Sequence, residues 1–78
     1  MEQSNDISAC IHGALNTYFS NLDGETPAAI YDMVIQSVER PMFEAVLNHA
    51  GGNQTLASQM LGINRNTLRK KLVDYKLI

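Results

Sequence analysis

A chain of 78 residues with a formal charge of −2 is sized for one small domain, and a lone copy has little core to bury. Its single cysteine, Cys10, excludes an internal disulfide and a CxxC site and favours a reducing compartment, and His12 and His49 add too few ligands for a structural metal. No apolar run is long enough to span a membrane and no basic-then-apolar signal peptide opens the chain, so pairing with a second copy is the remaining way to complete a core.

In chain order, residues 1–6 read as a short disordered lead-in. The first helix is expected from about Ile7 to Leu22, with Ile7, Cys10, Ile11, Ala14, Leu15, Tyr18, Phe19 and Leu22 spaced three and four apart on one face. Ser4, Asn5 and Asp6 offer N-caps and Gly24 a stop, while Gly13 inside the helix costs about 1 kcal/mol against alanine. Cys10 lies on the apolar stripe and reads as core.

The second helix is expected to start with Thr26 as cap and Pro27 in the first helical position, and to end at Gly51 and Gly52. Its stripe runs through Ile30, Met33, Val34, Val38, Met42, Ala45 and Val46. The phase is kept across Pro41, which therefore bends the helix rather than ending it. Two long apolar faces exceed what a short C-terminal unit can cover. The economical arrangement is all-α, with residues 7–50 as dimerisation helices that form an intertwined four-helix core from two chains.

Residues 51–78 are short and punctuated. Asn53 caps a helix over Gln54–Leu61, Gly62 breaks it, Asn64 caps again, and the last helix runs from Arg65 to about Asp74. Helix, glycine turn and second capped helix make the helix-turn-helix pattern. Ala57 and Ser58 are small where the second helix crosses the first, Gly62 supplies a left-handed residue, and Leu61, Ile63, Leu68 and Leu72 are the contact between the helices.

The charge divides with the pattern. Residues 1–50 carry Arg40 against seven acids, whereas residues 51–78 carry Arg65, Arg69, Lys70, Lys71 and Lys76 against Asp74 alone. No acid occurs between Glu44 and Asp74. Away from the Leu68–Leu72 stripe, the last helix projects Arg65, Asn66, Arg69, Lys70 and Val73, with Thr67 at its start. Such groups reach base edges and phosphates in a major groove, and the open N–H groups of a helix's first turn favour a phosphate, as at Asn53 and Thr55. Double-stranded DNA is the expected partner, together with a second copy of the chain. No membrane or small-molecule ligand and no cofactor is implied. Cys10 and His12 do not share a helix face and His49 has no acid–base partner in sequence reach, which speaks against an enzyme.

The segments "YDMVIQSVERPMFEAVLNHA", "GNQT" and "MLGINRNTLRKKL" resemble, in order and spacing, the Fis family of bacterial nucleoid-associated proteins. The resemblance covers nearly the whole chain from about Ile7. It implies an all-helical homodimer in the cytoplasm, on the nucleoid. Two helices of each chain would interlock, and a helix-turn-helix at each end would enter successive major grooves and bend the DNA. By position it implies DNA contacts at Asn64, Arg65, Thr67, Arg69, Lys70 and Lys71, with Asn66 beside them, and phosphate contacts at Asn53 and Thr55. Asn64 and Arg65 would read base edges. Gly51, Val73 and Asp74 stand where the family pattern is often basic, so flanking DNA contacts are expected to be weaker. With about six residues before the first helix, the recombinase-contacting arm of longer relatives is expected to be absent. The competing readings are a dimeric helical protein-interaction module and a detached output domain of an NtrC-type activator.

Overall fold

The computed structural model describes residues 2–78, with side chains from Asp6 onward. Its described residues form four helices and no strand: α1 (Glu2–Ser20), α2 (Ile30–His49), α3 (Gln54–Leu61) and α4 (Arg65–Asp74). The protein is all-α, and α3 and α4 have the bounds their caps predict.

The first two helices depart from expectation at their ends. α1 starts at Glu2 rather than Ile7, so residues 2–6 belong to the helix. The stretch holds no Gly or Pro, and Glu2 and Gln3 are good helix formers. α1 stops at Ser20 instead of Leu22, because Asp23 and Gly24 take positive φ (56° and 87°) and the turn tightens before them. α2 begins at Ile30, not at Pro27. Ala29 takes a left-handed conformation (φ 55°) and its carbonyl accepts the first helical bond, from Met33 N at 3.1 Å. Ala29 is thus the cap, and Thr26 and Pro27 lie in the connection. Pro41 sits inside an unbroken α2.

The chain divides into two compact units, one ending at Val34 and the other comprising Ile35–Ile78. The first holds α1, the connection and the opening turn of α2. Ile11, Leu15, Tyr18 and Leu22 are partly buried at helical spacing, and the rings of Tyr18 and Phe19 stand 5.7 Å apart. No described side chain from 6 to 42 is fully buried, and Ile7 and Phe19 are 63% and 47% exposed. Cys10, expected in the core, is exposed.

The second unit holds the core. Phe43 and Ala50 of α2 are buried together with Ala57 of α3 and Leu68 and Leu72 of α4, and Val46, Leu47, Leu61, Ile63, Tyr75 and Leu77 pack against them. The C-terminal half of α2 therefore belongs with the last two helices, whereas the sequence places the division near residue 50. Phe43, Val46, Leu47 and Ala50 form an apolar face of their own, spaced i, i+3, i+4, i+7. That face lies nearly opposite the Ile30–Val34–Val38–Met42 stripe, so α2 is apolar on two sides.

The C-terminal end of each helix in this unit is closed by the same backbone device. After α2, Gly51 takes φ 65°, Gly51 N bonds Asn48 O at 3.0 Å and Gly52 N bonds Leu47 O at 2.9 Å. After α3, Gly62 takes φ 74°, with Gly62 N to Gln59 O at 3.2 Å and Ile63 N to Ser58 O at 3.1 Å. After α4, Lys76 takes φ 58°, with Lys76 N to Val73 O at 3.0 Å and Leu77 N to Leu72 O at 2.8 Å. These are three Schellman closures, the first two on glycine and the third on lysine.

Candidate nucleic-acid interface

Gly62 and the two asparagine caps set the geometry of the site. A Cβ at Gly62 would meet nothing within 4 Å, so the turn needs glycine for its left-handed backbone rather than for space. Asn53 Oδ1 accepts from Leu56 N at 3.1 Å and Asn64 Oδ1 accepts from Asn66 N at 2.8 Å, which fixes where each helix starts. Ser58, buried between the helices, donates its hydroxyl to Thr55 O at 2.8 Å, so its polar atom carries no desolvation penalty.

With the starts fixed, the first turn of α3 and the first two turns of α4 meet around one open concavity of about 530 Å³. Asn53, Thr55, Arg65, Asn66 and Arg69 line it, together with Gly52 and Gln54. Arg65, Asn66, Thr67, Arg69, Lys70 and Val73 are all exposed, and Leu68 and Leu72 hold the opposite side of α4 in the core. Residues from the N-terminal ends of both helices line this concavity, and that is the end of a helix that attracts anions. No carboxylate lines it, and two guanidinium groups do. The surface is built for a polyanion with flat, hydrogen-bonding edges.

Of the residues proposed from sequence, five are brought together here. Thr67 and Lys70 are exposed on α4 outside the concavity. Asn64 is adjacent, but its Oδ1 is engaged as the cap, which leaves Nδ2 as its donor for a ligand. Lys71 is placed elsewhere: its Nζ lies 3.2 Å from both carboxylate oxygens of Glu39 on α2. Glu39 Oε1 also accepts from the Tyr75 hydroxyl at 2.7 Å. The Tyr75 hydroxyl first, and Lys71 after it, hold the Glu39 carboxyl below its ordinary value against the effect of burial, while the same bond to Glu39 raises Tyr75. Arg40 Nη1 donates to the Tyr75 carbonyl at the end of α4, and the Phe43 and Tyr75 rings stand 6.0 Å apart.

This cluster of Glu39, Arg40, Phe43, Lys71 and Tyr75 is not visible from a motif. Its signal in the sequence is the second apolar face of α2, with Phe43 one turn after Glu39, set against Tyr75 one turn after Lys71.

A short helix, a left-handed glycine turn and a second helix with a basic outer face define a helix-turn-helix protein of the nucleic-acid-binding class. Comparison narrows this. Residues 34–75, nearly the whole second unit, match the model of the bacterial regulatory proteins of the Fis family. The chain is 54% identical over 74 residues to a protein of Ralstonia nicotianae named as a Fis-like DNA-binding protein, covering 95% of this chain and 96% of that one. A Neisseria meningitidis protein of the same name is 52% identical over 73 residues, covering 94% and 92%. The DNA-binding protein Fis of Glaesserella parasuis is 52% identical over 62 residues, 80% of this chain and 63% of that protein. The chain belongs to the Fis family.

Proposed function

We propose that the chain is a homodimeric, DNA-binding and DNA-bending regulator of the nucleoid, which sets α4 of each copy into successive major grooves. The observation that carries this reading is the acid-free concavity between the α3 and α4 starts, lined by Asn53, Thr55, Arg65, Asn66 and Arg69. Arg65 and Asn66, in the first turn of α4, are the groups for base edges; Arg69, Lys70, Thr67, Asn53 and Thr55 hold the phosphates. Asn64 contributes its cap and its remaining amide donor. The names of the relatives support the DNA partner.

Pairing of two copies is supported by the apolar faces. The outer α1 stripe and the Ile30–Met42 face of α2 lack a buried residue in the single chain, and Ile7, Phe19 and Met42 are exposed. A second copy that laid the same helices across them would cover both, and the protein would work without catalysis. Its place would be the cytoplasm, on the nucleoid; none of the described helices is long and apolar enough to cross a membrane.

The test is an anisotropy titration of labelled random and A/T-centred duplexes at two salt concentrations. The logarithm of affinity should fall linearly with the logarithm of salt, with a slope set by the phosphates neutralised, and the A/T-centred duplex should bind more tightly. Absence of binding, or binding indifferent to salt, contradicts the reading.

A further inference from the structure

Arg69, Lys70 and Lys71 form a run of three cations, and the family resemblance implies DNA contacts for all three. A helix cannot present all three on one face. Successive residues turn by about 100°, so Arg69 and Lys71 stand about 200° apart round α4. Arg69 lines the concavity, and Lys71 lies across the Leu68–Leu72 stripe from it. There its ammonium takes both oxygens of Glu39 at 3.2 Å, with the lysine side chain 39% and the glutamate 19% exposed.

The pair is one part of a wider grip. Tyr75, one turn beyond Lys71, donates to the same carboxylate at 2.7 Å. Arg40, next to Glu39, caps the carbonyl of Tyr75, and Phe43 packs its ring against that of Tyr75. Three neighbouring residues of α2 thus hold one place on α4 by polar and apolar contacts together. Were Lys71 to leave for a phosphate, the half-buried carboxylate of Glu39 would keep one partner and gain a negative neighbour, which is unfavourable twice over.

Given DNA binding as proposed above, we infer that Lys71 is a positioning residue that braces α4 against α2 through Glu39, and that it neutralises no DNA phosphate. Lys70, exposed on the outer side of α4, carries the phosphate contact instead. The brace sets how α4 stands on the C-terminal half of α2.

The experiment measures affinity of the full-length chain for one duplex across a series of salt concentrations. In a plot of log affinity against log salt, Lys70→Met should be shallower by about 1.8, about 0.9 for each of the two copies on the duplex. Lys71→Met should run parallel to wild type, displaced to weaker binding by one constant factor, and Lys71→Arg, which keeps a cation for Glu39, should return most of that displacement. Thermal melts without DNA supply an independent arm: Glu39→Gln and Lys71→Met should each lower the midpoint, and the double variant should lower it by less than the sum. A Lys71→Met line as shallow as that of Lys70→Met, or strictly additive melts, overturns the brace while the DNA-binding reading stands. If wild type shows no salt-dependent binding, that reading itself fails, and the melts still judge the brace.

Discussion

At the residue scale, the polar groups of the second unit divide into those that build the site and those that face outward from it. Asn53 and Asn64 do both, since each caps a helix through Oδ1 and leaves an amide donor, that of Asn53 at the concavity and that of Asn64 beside it. Arg65 has no hydrogen-bonded or ionic partner among the described residues and stands free for a ligand. Arg65→Ala should cost about 1–3 kcal/mol of binding to a preferred duplex and flatten the difference between preferred and random sequence; equal losses on both duplexes would assign it to the backbone. Lys76 is the third left-handed closing residue, in the place filled by glycine after α2 and α3. A side chain there costs about 1–2 kcal/mol in backbone energy, partly offset by the greater freedom of glycine in the unfolded chain. Lys76→Gly should therefore raise the midpoint of urea denaturation, and a lowered midpoint would contradict the account. Glu39 predicts a pH dependence. Its folded carboxyl lies below the ordinary 4.5, so its stabilisation is present above that value and lost as pH falls through the lower folded value. The stability difference between wild type and Glu39→Gln, measured by denaturant at a series of pH values, should be constant near neutrality and shrink below about pH 4.5. A difference unchanged down to pH 3 would show that the bonds from Tyr75 and Lys71 do not stabilise the carboxylate.

At the element scale, what the sequence discloses depends on how local the deciding interaction is. The bounds of α3 and α4 were legible because Asn53, Gly62 and Asn64 act on their own backbone neighbours. The positive φ of Gly62 and both caps follow from residue type alone. The start of α2 was not legible in this way. Thr26 and Pro27 are a good opening, yet the chain takes Ala29 as its cap, a choice no propensity favours in alanine. The second face of α2 was hidden because Phe43 and Leu47 interleave with the Met42–Val46 stripe, which shares Val46 with it and was complete without them. The contact of Lys71 with Glu39 was hidden for a related reason: it joins residues 32 apart in the chain, and no local pattern marks it. That Asn53, Thr55, Arg65, Asn66 and Arg69 line one concavity was legible because each lies within the first two turns of a helix start that the sequence marks.

At the scale of the whole molecule, two apolar surfaces and one cationic concavity have to be reconciled with a chain of 78 residues. Pairing of α1 and α2 between copies, as proposed above, would answer the first and duplicate the second. Phe19→Asp should abolish the folded dimer, because a carboxylate would be buried without a partner. On a monomer, with Phe19 47% exposed, the same change would cost only about 1–2 kcal/mol and leave the chain folded. Two α4 helices held at a fixed separation below one turn of straight DNA, about 34–36 Å, would require the duplex to curve, at a cost on the order of 1–6 kcal/mol that depends on the central sequence. The most direct measurement is sedimentation of a fluorescently labelled duplex with the chain at low micromolar concentration and moderate salt. The account predicts one complex with the mass of one duplex and two chains, formed without a populated one-chain species, from a protein that is itself a dimer. A folded monomer that binds the duplex one chain at a time would contradict it.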